Sequence, residues 1–166
     1  MKVVGDQLST WAIAQKDKQK QDVFGRSAFN RYYYSAFLIT RQMLGEFEDR
    51  WKSTAHREIP NLLRASVKRK VESRLKINVR TRIMTESEKS RFLMELKTSL
   101  NELAALLSEA YDVRIIADYE PEMLVTFEKK IISLRNYKLT SANNWPGRAR
   151  AYCKTIRRVW KGCGLG

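Results

Sequence analysis

An all-α, up-and-down bundle of four to five helices is the fold this sequence predicts, and three observations predict it. Turn formers are scarce: 166 residues hold seven glycines and three prolines, too few breaks for a multi-stranded β protein. Apolar residues recur in steps of three and four over long stretches, which is the period of a helix. Two cysteines, Cys153 and Cys163, and a single histidine leave neither a zinc site nor a disulfide framework to hold an irregular fold. A chain of this length buries roughly two thirds of its unfolded surface without such staples. One domain over residues 1–166 is expected, with a short extended arm or hairpin before the last helix.

The elements follow in order. Residues 7–20 read as a short first helix with Trp11 and Ile13 or Ala14 inward. Asp22 is placed to cap a long second helix, its carboxylate accepting from free backbone N–H groups of the first turn. That helix is expected to reach Lys52, with the stripe Tyr33, Phe37, Thr40, Leu44, Phe47, Trp51 at helical spacing. Between Tyr32 and Ile39 almost every side is apolar or aromatic, so burial on more than one face is expected. A third helical region opens at Ser53-Thr54-Ala55-His56. There Leu63, Val67, Val71 and Leu75 form a narrow apolar line, and Arg64, Lys68, Arg69, Lys70, Arg74 and Lys76 cover the rest.

From Ile77 to Ile83 the period shifts toward two, which predicts an extended connection with Arg80 and Arg82 outward. Thr85-Glu86-Ser87-Glu88 carries the Thr-x-x-Glu pattern in which hydroxyl and carboxylate satisfy each other's backbone donors. A fourth helix is therefore expected from there to Tyr119, before Pro121. Along it Leu93, Leu96, Leu100, Leu103, Leu107 and Ala110 form one stripe whose continuation is Arg114 and Ala117 or Asp118, a charged pair on a core-facing line. Residues 121–139 alternate weakly and are rich in β-branched and aromatic types, the basis for the arm or hairpin. The last helix is expected to start between Thr140 and Asn144, with Pro146 in or near its first turn, where a missing N–H costs least. Trp145, Ala149, Tyr152, Ile156 and Val159 or Trp160 form its apolar face, and the terminal GCGLG frays it.

Charge is unevenly distributed. The net charge is +14; residues 57–85 hold nine basic against two acidic side chains, and residues 129–166 hold ten basic and no acid. Between them, residues 86–128 carry a net −6. Basic segments of this kind draw nucleic acid or other polyanions by counterion release and long-range steering. No stretch approaches the ~18 continuous apolar residues of a membrane span, and the amino-terminal MKVVGDQLSTWA meets Asp6 too soon for a signal peptide. A cytoplasmic protein without a membrane partner is expected, with no metal and no cofactor, since glycine-rich phosphate loops, Ser-His-Asp sets and metal-spaced carboxylates are all missing from the sequence.

Three stretches combine: Asn30-Arg31-Tyr32-Tyr33-Tyr34-Ser35-Ala36-Phe37; His56; and Arg114-Ile115-Ile116-Ala117-Asp118-Tyr119. Together they resemble the HEPN (higher eukaryotes and prokaryotes nucleotide-binding) superfamily, in the branch marked by Arg-x-Tyr-Tyr early and Arg-x-x-Ala-Asp-Tyr late. Ala142-Asn143-Asn144-Trp145 is similar to that branch's final helix, so the resemblance runs from about Asp22 to Trp160. It implies a helical bundle that often forms homodimers and binds RNA or nucleotides, frequently in bacterial toxin-antitoxin or anti-phage systems. Many members are metal-independent ribonucleases with an Arg-x(4 to 6)-His motif. Here the positions after Arg114 are Tyr119, Glu120 and Pro121; Arg50 and His56 have the spacing but straddle a helix break, in the wrong part of the pattern.

Arg114 and Asp118, one turn apart, are read as an interior ion pair joined by Arg31 and the hydroxyls of Tyr34 or Tyr119, a lock between the second and fourth helices. The competing reading makes Arg31 and Arg114 phosphate ligands in a groove. Three functions are carried forward. The first is nucleic-acid binding, with Lys68, Arg69, Arg74, Arg148, Arg150, Arg157 and Arg158 as phosphate contacts. The second is a ribonuclease built from Arg31, His56, Arg114 and Tyr119, with His56 the only side chain titrating near neutrality. The third is an adaptor docking an acidic protein partner.

Overall fold

The computed structural model describes residues 1–128 and 131–166. The chain forms the all-α bundle with a short hairpin element before its last helix. The elements are α1 (Lys2–Ala14), α2 (Lys18–Phe47), α3 (Ile59–Leu62), α4 (Lys68–Arg80), α5 (Glu86–Tyr119), β1 (Thr126–Glu128), β2 (Ile131–Leu134), β3 (Tyr137–Lys138) and α6 (Leu139–Gly162). Two compact units result, Met1–Leu38 with Ser108–Arg148 and Ile39–Leu107 with Ala149–Gly166. Helices α2, α5 and α6 contribute to both.

In the first unit α1 starts five residues earlier than its pattern suggested, and it buries the opposite face. Gly5 and Ala12 are inside, whereas Trp11, Ile13 and Ala14 are exposed. Gly5 lies so close to the Tyr32 ring that a Cβ there would come within 2.7 Å of it; the small residues, not the large ones, let this helix seat. Asp17 rather than Asp22 caps α2, accepting from the Gln19 N–H at 2.8 Å. The aromatic stretch of α2 is buried on several sides as expected, with Phe29, Tyr32, Tyr33 and Phe37 all inside.

The arm is a three-stranded antiparallel meander in the order β1-β2-β3, with Phe127 opposite Ile132 and Leu134 opposite Tyr137. Arg135, first residue of the two-residue β2–β3 connection, takes a left-handed φ of 52°. Of the expected arm, residues 129 and 130 lie outside the described residues. Helix α6 then begins at Leu139, before the expected start, so Pro146 stands in the helix interior.

In the second unit α2 stops at Phe47, five residues short of expectation, and Asp49–Ser53 forms a 3-10 turn. The stacking of Phe47 on Trp160 (ring centroids 4.1 Å apart), with Trp51 edge-on to the same indole, anchors this corner. The line Leu63, Val67, Val71, Leu75 is fully buried. A strict i+4 row drifts about 40° per step around an α-helix; the π-helical turn Leu63–Val67 takes up part of that drift.

The expected extended connection at 77–83 is instead helical to Arg80. It ends in a paired-bond cap: Ile83 N–H donates to Asn78 O and Arg82 N–H to Val79 O, with Arg82 left-handed at φ 59°. The Thr85–Glu88 capping box forms as read, the two reciprocal bonds being 2.9 and 3.2 Å. The carboxy-terminal GCGLG does not fray. Leu165 N–H donates to Trp160 O, Gly164 N–H donates to Lys161 O, and Gly164 has φ 81°, the same cap with the residue best suited to it. Arg74 and Asn78 of α4 fasten this end by donating to Cys163 O at 3.2 and 2.9 Å.

Candidate functional site

The charged pair at the end of α5 is half-buried. Arg114 Nε lies 2.7 Å from Asp118 Oδ2, without the angle of a hydrogen bond. Burial opposes the guanidinium charge, but the Asp118 carboxylate, a hydrogen bond with Tyr119 and the Tyr34 phenol outweigh it and hold Arg114 above its ordinary value. The Tyr119 ring also lies against the guanidinium, 5.2 Å from Cζ to ring centroid. Arg114 is therefore a fixed, partly neutralised cation, not a proton donor.

Arg31 is not part of this group. It is exposed on α2 and its Nη1 reaches Met1 Sδ at 3.8 Å. The residue of α2 that bridges to α5 is its neighbour Asn30, whose amide donates to Asp118 Oδ1. One position along a helix is 100° of rotation, enough to exchange an inward bridge for an outward cation. Of the four expected catalytic residues, Arg31, Arg114 and Tyr119 belong to the first unit and His56, in a 3-10 turn, to the second.

The stronger fastening between α2 and the end of α5 is one that sequence reading missed. Arg26, 12% exposed, pairs with Asp22 at 2.8 Å. It donates to the carbonyls of Ile116, Ala117, Glu120, Pro121 and Met123, so one guanidinium reaches two carbonyls of the last helical turn and three of the chain that follows it. Asp22 in turn accepts from Val125 N–H at 2.8 Å, which holds the entry to the sheet. The i, i+4 spacing of Asp22 and Arg26 was visible in the sequence; the 90 residues between Arg26 and its acceptors were not bridged by any local signal.

A second polar cluster joins α1, α2 and α6. Tyr32 donates to Asp6 Oδ1 at 3.0 Å, and Asn143 donates to Asp6 at 3.2 Å and to the Tyr32 hydroxyl at 3.2 Å. Burial alone would raise the Asp6 carboxyl, but the bonds from Lys2, Tyr32 and Asn143 and the Lys2 charge bring it below its ordinary value. Both cysteines are free and buried. Burial pushes the Cys153 thiol up to about 11, so little of it is thiolate at neutral pH. Among the described residues no three of His, Cys, Asp and Glu converge as metal ligands would, and no helix is long and apolar enough to cross a membrane.

The seven expected phosphate contacts divide. Three are engaged by the fold: Arg74 on Cys163 O, Arg157 on both carboxylate oxygens of Glu46 at 2.6 and 3.0 Å, and Arg158 on Glu95 at 2.5 Å. Lys68 stands 3.7 Å from Glu72. Arg69, Arg148 and Arg150 are exposed. Reading charge without partners missed that carboxylates across the unit claim Arg157 and Arg158. The outer face of α4 differs: Arg69, Ser73, Lys76 and Arg80, at i, i+4, i+7 and i+11, are all exposed. Its three cations have no ion-pair partner among the described residues. At 1.5 Å rise per residue they span about 16 Å. Compared with protein-family models, curated proteins and solved structures, the chain matches none.

Proposed function

We propose that the protein is a basic, HEPN-like helical bundle that binds RNA or other nucleic acid, as a component of a bacterial defence or toxin-antitoxin system. The observation that carries the binding reading is the outer face of α4, where Arg69, Lys76 and Arg80 are exposed and have no ion-pair partner among the described residues. Three cations in line, spread over about 16 Å, match a phosphate backbone and not a single anion, whereas Arg74, Arg157 and Arg158 are engaged by the fold. The net charge of +14 adds steering toward a polyanion. Exposed aromatic rings, on which bases would stack, are absent from this face, so the contact is with phosphates and largely indifferent to sequence. The defence context rests on the resemblance of Arg31-x-Tyr33-Tyr34 and Arg114-x-x-Ala117-Asp118-Tyr119 to the superfamily's motifs.

The test is fluorescence anisotropy with a labelled single-stranded RNA between about 50 and 200 mM salt. Affinity should fall steeply across that range. The triple variant Arg69→Gln/Lys76→Gln/Arg80→Gln should bind weakly and flatten the log–log salt slope by about 2, the loss of three phosphate contacts. A variant with the same charge loss elsewhere, Lys16→Gln/Lys18→Gln/Lys20→Gln, should keep the slope. Equal effects of the two variants would mean diffuse attraction and no α4 site. Cleavage is read separately, by incubation with total RNA in EDTA beside His56→Ala and Arg114→Ala.

A further inference from the structure

Helix α1 has an uncharged outward line, and its charged side chains stand partly exposed on the flank. Its two charged residues, Lys2 and Asp6, pair at 2.9 Å, and Asp6 is tied to Tyr32 and Asn143. The close seat of Gly5 on the Tyr32 ring fixes that rotation. The opposite face presents Val3, Val4, Gln7, Trp11 and Ala14 to solvent, an uncharged stripe in which Val3 is 79% and Trp11 47% exposed. Val23 of α2, 54% exposed, and Phe24, whose ring lies 5.8 Å from that of Trp11, widen it. Trp51, Trp145 and Trp160 are buried, so Trp11 is the one indole of the four that faces outward.

Cations stand at both ends of this stripe. Arg31 is exposed beside Met1, and Lys16, Lys18 and Lys20 are exposed just beyond Ala14. Of the acids nearby, Asp17 accepts from the Gln19 N–H as the α2 cap and Asp6 is paired with Lys2. A second copy laid along the stripe, parallel or antiparallel, would set cation against cation. A surface with negative charge beyond an apolar layer meets every part of it.

We infer that the outward face of α1 attaches the protein to an anionic lipid surface, with Trp11 and the valines entering the headgroup boundary and Lys16, Lys18, Lys20 and Arg31 meeting lipid phosphates. Trp is suited to that boundary because its ring is apolar and its N–H polar. A helix that lies along a membrane surface needs no long apolar span, so the lack of a spanning segment does not bear on this face.

The experiment is co-flotation of the full chain with vesicles of phosphatidylcholine alone and of phosphatidylcholine with equal phosphatidylglycerol, repeated with brominated acyl chains that quench an inserted indole. The protein should float with the anionic vesicles, show quenching there and stay free of the neutral ones. Trp11→Phe should remove the quenching while floating still. Val4→Ser/Trp11→Ser should lose most of the binding with its circular dichroism unchanged. Each of Lys16→Gln, Lys18→Gln and Lys20→Gln should lower the partition coefficient about fivefold. The α4 triple variant should float as the parent does, which separates this site from the nucleic-acid reading. Flotation without Trp11 quenching, equal binding to neutral vesicles, or a dimer in sedimentation that Val4→Ser/Trp11→Ser abolishes would each overturn the inference.

Discussion

Arg26→Ala tests the fastening at the end of α5. The change removes a guanidinium that is 12% exposed and leaves Asp22, 18% exposed, without its counter-ion. It also removes the side-chain donor to the carbonyls of Ala117, Pro121 and Met123, while Ile116 O and Glu120 O keep the backbone N–H groups of Glu120 and Met123. Breaking one side of a buried pair costs about 3–5 kcal/mol. Hydrogen bonds from a charged donor contribute about 1.5–3 kcal/mol each when single, though bonds from one group do not add. Residual exposure and water entering at the helix end offset part, which leaves about 3 kcal/mol. For a chain of this size that is a fall in Tm of roughly 6–12 °C.

The assay is urea unfolding with thermal melting, and amide exchange at 120–125. Arg26→Lys keeps the charge without the planar fork and should recover about half of the loss. Asp22→Asn with Arg26→Ala should cost less than the two separate losses together, because the stranded charge is gone. A loss below about 1 kcal/mol in Arg26→Ala, or strict additivity in the double variant, would refute the claim that this guanidinium holds the α5 end and the sheet entry together.

Two further outcomes follow from the same geometry. Arg82→Gly should stabilise the protein by about 0.5–1 kcal/mol, because Arg82 sits at the left-handed cap position of α4 where glycine has no Cβ penalty; an unchanged urea midpoint would count against strain there. Asp6 titrates below its ordinary value of 3.8, so its contribution is fully present above about pH 4 and disappears as the pH falls through the lower folded value. Asp6→Asn should therefore lower stability at pH 6 and flatten the acid limb of a stability–pH profile. Parallel acid limbs for the two proteins would show that Asp6 has the same proton affinity folded and unfolded.

What the sequence determined by itself was local. The helical class followed from period and from the shortage of turn formers, and the Thr85–Glu88 box and the Leu63-to-Leu75 line formed as read because each residue in them meets its neighbour about one turn away in the chain. Even so, the period-two pattern at 77–83 failed. Its alternation reflected exposed arginines at 80 and 82 on the end of a helix, whose cap bonds come from backbone groups that no side-chain pattern records.

Only the tertiary structure decided which partner each polar group meets. Periodicity says that a face is covered and not by what, so it could not choose Asn30 over Arg31 as the bridge to Asp118, or assign Arg26 to carbonyls 90 and more residues away. It could not tell that Glu46 and Glu95 occupy Arg157 and Arg158 while Arg69, Lys76 and Arg80 stay open. The same limit explains α1: its large residues marked an apolar face, but Gly5 against Tyr32 set which face could approach the core. Charge and hydropathy are properties of a residue, whereas availability to a ligand is a property of what packs beside it.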